Sequence, residues 1–120
     1  MLYFFKRLKW RFIWSWRGVR RTWESEYSFR SWVWANVVSA ALALILPISL
    51  AEQALILSLG VLVLAFELLN TAVEHTVDYI SEETHPLAEK AKDAASAGVF
   101  LSSLAAGTAW LVVLTQFIPW

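Results

Sequence analysis

Hydrophobic positions fall into two patterns along the chain. Over residues 2–22, Tyr3, Phe4, Leu8 and Phe12, then Trp16 and Val19, recur at helical spacing with lysine and arginine between them. That spacing predicts an amphipathic helix over roughly residues 1–28. Three long apolar runs follow. Residues 32–50 carry no charge; residues 54–77 are broken by Glu67, Asn70, Glu74 and His75; residues 94–118 are again uncharged. A helix needs about 20 apolar residues to cross a hydrocarbon core, so each run predicts a membrane helix, over roughly residues 30–50, 53–80 and 90–118. The expected fold is an all-α, integral membrane domain over residues 1–120. Pro47 should mark the first turn, and Pro86 should interrupt helix in the second connection.

Composition agrees with lipid as the solvent. The chain has 120 residues, 58% hydrophobic and 17% charged, with a mean hydropathy of +0.53. A soluble domain this small could not bury so much apolar surface. Cysteine is absent, which excludes disulfides and thiolate chemistry. Any metal site must draw on carboxylates and on His75 or His85.

The net charge of zero conceals an asymmetry. Residues 1–30 hold eight basic and two acidic side chains, a balance of +6, and the rest of the chain balances it at −6. Six tryptophans lie between Trp10 and Trp34. Tryptophan with arginine and lysine suits a helix lying among anionic headgroups rather than one packed on a soluble core. Nucleic acid is not expected as a partner, because the basic residues adjoin the apolar spans. The basic residues also leave no uninterrupted apolar core for a signal peptide, so the segment is expected to stay.

Lysine and arginine placement predicts the orientation. The N-terminal helix and the connection over residues 79–93, which holds Lys90 and Lys92, should be cytoplasmic; residues 47–53 and the C-terminus should be external. Ala94, Gly98, Ser102 and Ala106 form a ridge of small residues on the third span, suited to close helix approach within the chain or between chains.

The second span carries the candidate chemistry. Glu67, Asn70, Glu74 and Asp78 stand at i, i+3, i+7 and i+11, on one helix face. With Asp78 near the interface, Glu67 lies roughly 16 Å deeper. An acidic residue at a helix centre costs about 2.5–3.5 kcal/mol on insertion scales. Hydrogen-bonded glue between helices would explain Asn70 and Thr71, but it explains two glutamates and an aspartate poorly. Shallow carboxylates can hold Mg²⁺ through one or two ligands while phosphates and water fill the shell. A deep carboxylate in an apolar setting can act as a general base. Together they suit transfer from a soluble phosphate donor to a lipid alcohol. A proton or cation path would use the same residues, and a non-catalytic anchoring protein would need only the small-residue ridge. Glu24 and Glu26 at the first span, and Lys92, Asp93 and Ser96 at the third, bring further polar groups to the same membrane face. No glycine-rich phosphate loop is present.

At these residues the chain resembles the prokaryotic membrane-integral diacylglycerol kinase family. The stretches are Glu67-Leu68-Leu69-Asn70-Thr71-Ala72-Val73-Glu74 continuing to Asp78, then Ala91-Lys92-Asp93-Ala94-Ala95-Ser96, and Trp16-Arg17-Gly18 through Trp23 to Glu26 and Phe29-Arg30. The resemblance implies a homotrimer in the bacterial inner membrane that transfers the γ-phosphoryl of ATP, with Mg²⁺, to diacylglycerol, giving phosphatidic acid. It implies Glu67 as the catalytic base and Glu26 and Glu74 as metal carboxylates. ATP contacts would come from Arg7, Trp14, Glu26, Glu74, Glu83, Thr84, His85, Lys92 and Asp93. Lipid contacts would come from Arg7, Trp23, Phe29, Arg30, Glu67 and Ser96, with Asn70 and Asp78 in support. Undecaprenol is the alternative acceptor within the family. Trp32 stands where members often carry an acidic residue, and Trp14 where tyrosine is common.

Overall fold

A computed structural model describes residues 1–120. The chain is helical throughout: α1 (Leu2–Ser25), α2 (Tyr27–Ile45), α3 (Leu50–Ile80) and α4 (Pro86–Leu114), closed by a 3₁₀ turn over Thr115–Phe117. Three helices, Tyr27–Ile45, Leu50–Ile80 and Pro86–Phe117, are long and apolar enough to cross a membrane.

Each boundary has a local cause. Between α1 and α2 only Glu26 leaves the helical region, at φ −112° and ψ 110°, so α2 begins at Tyr27, earlier than the apolar run suggests. The Arg30 guanidinium folds back and donates to the Trp23 carbonyl at 2.7 Å and the Glu24 carbonyl at 3.2 Å. It thereby satisfies acceptors that the end of α1 leaves open. At the far end of α2, Pro47 disfavours the helical region for Leu46, which is extended at φ −67° and ψ 146°. Helix α3 starts with a capping box: the Ser49 hydroxyl accepts from the Glu52 N–H, and the Glu52 side chain accepts from the Ser49 N–H. The expectation that Pro86 interrupts helix is corrected. It occupies the first turn of α4, where a missing N–H costs nothing, and α4 therefore starts before residue 90. The His85 Nδ1 accepts from the Leu87 N–H at 3.1 Å and caps it.

Helix α3 lies between α2 and α4 and packs along both. At Gly98 the ridge on α4 meets its own chain: a Cβ there would press on the Phe66 ring of α3. On the other side of α3, Gly60 admits the Asn36 side chain of α2. A small core of Ala43, Ile56, Ala109 and Val113 joins all three spans at the end away from α1. Nearby, the Trp110 indole donates to the Ser39 hydroxyl at 2.8 Å and Gln116 donates to the Glu52 carboxylate at 2.6 Å. Only 11 of 120 residues are buried, and large side chains such as Val37, Leu62, Phe100 and Leu111 point outward. Apolar surface on that scale requires lipid or other helices around it.

Candidate active site

Exposure along the α3 stripe falls with depth. Asp78 is exposed, Glu74 and Asn70 are half-buried, and Glu67 is 4% exposed. Helix geometry alone put these groups on one face; α2 is what covers the deepest of them. The Ser28 hydroxyl of α2 donates to Glu67 Oε2 at 3.3 Å, and the Trp32 side chain faces the same carboxylate. A charged group so enclosed is tolerable only with such partners.

Glu26 reaches the stripe from the break between α1 and α2. Its Oε1 lies 3.4 Å from His75 Nε2 and 3.5 Å from the Ser25 hydroxyl. This contact holds Glu26 against α3 one residue beyond Glu74. The Asn70 amide donates to Glu74 Oε1 at 3.1 Å, while its Oδ1 is buried with no partner. Carboxylate and amide oxygens are the hard donors that Mg²⁺ prefers, and an unsatisfied buried acceptor beside Glu74 fits a ligand that brings a cation or a donor. No three histidine, aspartate or glutamate side chains converge on one point. Glu26 and Glu74 could supply one or two carboxylates to an ion whose remaining ligands come from a substrate and water.

One turn further along, the Lys92 ammonium of α4 donates to Asp78 Oδ1 at 2.6 Å. Asp93 and Ser96 are exposed on α4. Glu83, Thr84 and His85 line a separate hollow of about 470 Å³ between the ends of α3 and α4, with Val77, Ile80 and Ala91.

Other expected site residues do not join this cluster within one chain. Arg7 and Trp14 sit on a basic aromatic groove along the start of α1, with Tyr3, Lys6, Trp10 and Arg11. Arg7 stacks over the Tyr3 ring at 5.8 Å. Nineteen residues of helix put Arg7 roughly 28 Å from Glu26 along α1. Only the second half of α1, from Ser15 to Ser25, borders α3, across a cleft of about 520 Å³ that His75 and Thr71 also line. Phe29 is buried, 2% exposed, Arg30 is turned onto the end of α1, and Trp23 is 37% exposed. Sequence reasoning did not single out Ser28 or place His75 at Glu26. The nearest signal was their spacing from Glu26 and Glu74, which does not reveal how α2 is rotated toward α3.

The profile of the prokaryotic diacylglycerol kinase family matches residues 13–114. A diacylglycerol kinase of Pseudomonas aeruginosa is 39% identical over 97 residues, 81% of this chain and 79% of that protein. A diacylglycerol kinase of Escherichia coli K12 is 35% identical over 100 residues, 83% of this chain and 82% of that protein. An undecaprenol kinase of Bacillus subtilis is 34% identical over 108 residues, 90% of this chain and 85% of that protein. With most of its length matched, three helices long and apolar enough to cross a membrane and a carboxylate, Glu67, buried between them, the chain belongs to the prokaryotic diacylglycerol kinase family.

Proposed function

We propose that this kinase transfers the γ-phosphoryl group of ATP to the primary hydroxyl of diacylglycerol, giving phosphatidic acid. The observation that carries the reading is the buried Glu67 carboxylate lying below the half-buried pair Glu26 and Glu74. A lipid hydroxyl rises from the apolar side and a nucleotide comes from the water side. Glu67 takes the proton as the acceptor oxygen attacks phosphorus in line, and the bond to the leaving ADP oxygen breaks. Glu26 and Glu74 are the carboxylates that would hold Mg²⁺, which would supply positive charge against the charge developing in transfer. Lys92, steered by Asp78, adds positive charge on the same side. Asn70 orients Glu74, and Asp93 with the 83–85 stretch borders the nucleotide.

We further infer a homotrimer in the bacterial inner membrane, with the N-terminal helix on the cytoplasmic face and the C-terminus outside. The distance of Arg7 and Trp14 from Glu26, together with the apolar faces left open on α2 and α4, favours a site completed by α1 of a neighbouring subunit. The basic, tryptophan-rich face of α1 suits the headgroup region.

The test is purified protein in detergent with Mg-ATP and each lipid alcohol in turn. Diacylglycerol-dependent ADP release with phosphatidic acid as product supports the reading; ATP turnover indifferent to lipid contradicts it. The undecaprenol kinase match, which covers 90% of this chain, favours undecaprenol as the second acceptor to try. A larger kcat/KM with undecaprenol would reassign the substrate and leave the site chemistry unchanged.

A further inference from the structure

We propose that Ser28 is the positioning residue for the Glu67 carboxylate: its hydroxyl anchors one oxygen so that the carboxylate meets the acceptor hydroxyl in a fixed orientation. The inference rests on the reading of Glu67 as the base.

A helical serine or threonine ordinarily turns its hydroxyl back to the carbonyl four residues earlier. Thr22 does so to Gly18, Ser31 to Tyr27, Thr76 to Ala72 and Thr108 to Leu104. Ser28 does not. The carbonyl four residues before it belongs to Glu24, in α1, beyond the extended residue at Glu26. That carbonyl already accepts from Arg30 at 3.2 Å. The break in the helix and the Arg30 cap together release the Ser28 hydroxyl. It turns across to α3 and donates to Glu67 Oε2 at 3.3 Å, bridging residues 39 apart in sequence.

The consequence is chemical as well as structural. A carboxylate offers about four acceptor sites, so one bond from Ser28 leaves room for a lipid hydroxyl. Glu67 projects from a single helix with a broad terminal torsion, and beside the Trp32 side chain the Ser28 hydroxyl is the partner that fixes Oε2. Proton abstraction needs heavy atoms about 2.6–3.2 Å apart, and misplacement by about 1 Å can cost on the order of 100-fold in rate. Ser28 also ties the base to the segment that carries Glu26, two residues earlier. Metal ligand and base are thus held by one short piece of chain.

The test compares Ser28→Ala, Ser28→Thr and Ser28→Val in the full-length protein, in mixed micelles with Mg-ATP and diacylglycerol. Thr and Val have nearly the same shape and differ in the hydroxyl, so the pair separates loss of the bond from a change of bulk. The expected result is a fall in kcat of about tenfold for Ala and Val, within the range set by misplacing a reacting group. KM for both substrates should stay the same and Thr should keep most of the activity. A second measurement uses Glu67→Asp, whose shorter side chain no longer reaches Ser28. Adding Ser28→Ala to it should lower kcat no further, because the two changes act on one contact. Unchanged kcat in the Ala and Val variants overturns the proposal, as does an equal loss with and without Glu67→Asp. Full activity in Glu67→Gln would instead overturn the base assignment, so the two failures are distinguishable.

Discussion

The Lys92 ammonium of α4 sits 2.6 Å from Asp78 Oδ1 on α3. The pair joins the two helices at the end of the acidic stripe nearest the solvent, and it fixes a positive charge at that end. Partly exposed ion pairs contribute at most about 1 kcal/mol to stability. The pair therefore matters more for where the ammonium points than for how firmly the helices pack. Asp78→Asn should raise KM for ATP several-fold and lower kcat while leaving the thermal midpoint within a few degrees. Steady-state kinetics beside a melting curve checks both halves of the statement.

If Glu26 and Glu74 hold Mg²⁺ as proposed, they should be recognisable by the ion they need. Glu26→Gln and Glu74→Gln should each shift the Mg²⁺ concentration for half-maximal activity upward by about tenfold or more, the usual scale for disturbing a metal site or its supports. Asn70→Ala, which removes the donor to Glu74 Oε1, should move the same curve in the same direction by less. A Mg²⁺ titration of activity at saturating ATP reads all three.

Helix packing makes its own forecast. Gly60→Ala places a methyl group where the Asn36 side chain lies, and overpacking of this kind costs about 1–3 kcal/mol. Gly107→Ala meets nothing within 4 Å. It should be neutral, or stabilising by up to about 1 kcal/mol through helix propensity. Thermal unfolding of the two variants in the same detergent should differ in sign or clearly in size.

If α1 of one subunit completes the site of another, two inactive subunits should repair each other. Arg7→Ala and Glu67→Gln damage different parts of the site, and mixed oligomers of the two should regain activity that neither shows alone. Mixtures that stay inactive, while wild-type subunits handled identically recover, would place every site residue in one chain.

Much of this architecture could be read from the sequence, for reasons that are physical. Apolar runs of spanning length fix the three membrane helices, and 3.6-residue periodicity puts Glu67, Asn70, Glu74 and Asp78 on one face at graded depths. Those are properties of single helices. What escaped depends on how helices meet. Pro86 opens α4 because an imino nitrogen is harmless in a first turn, a matter of where the helix starts. Small-residue spacing does not name the partner of the ridge; at Gly98 that partner is Phe66 of the same chain. Ser28 reaches Glu67 only because a single extended residue separates α1 from α2, and His75 finds Glu26 for the same reason. Asp78 had no definite partner until α4 brought Lys92 beside it.

The central claim is that a buried carboxylate on α3 takes the acceptor's proton. Glu67→Gln keeps the size of the side chain and one acceptor oxygen for the Ser28 hydroxyl, and removes its basicity. The direct measurement is phosphoryl transfer from Mg-ATP to diacylglycerol by this variant, in the same fold and assembly state as the parent. A loss of kcat by about 100-fold or more, the scale of general-base catalysis, with ATP binding retained, is the predicted result. Turnover at the parent's rate would contradict it.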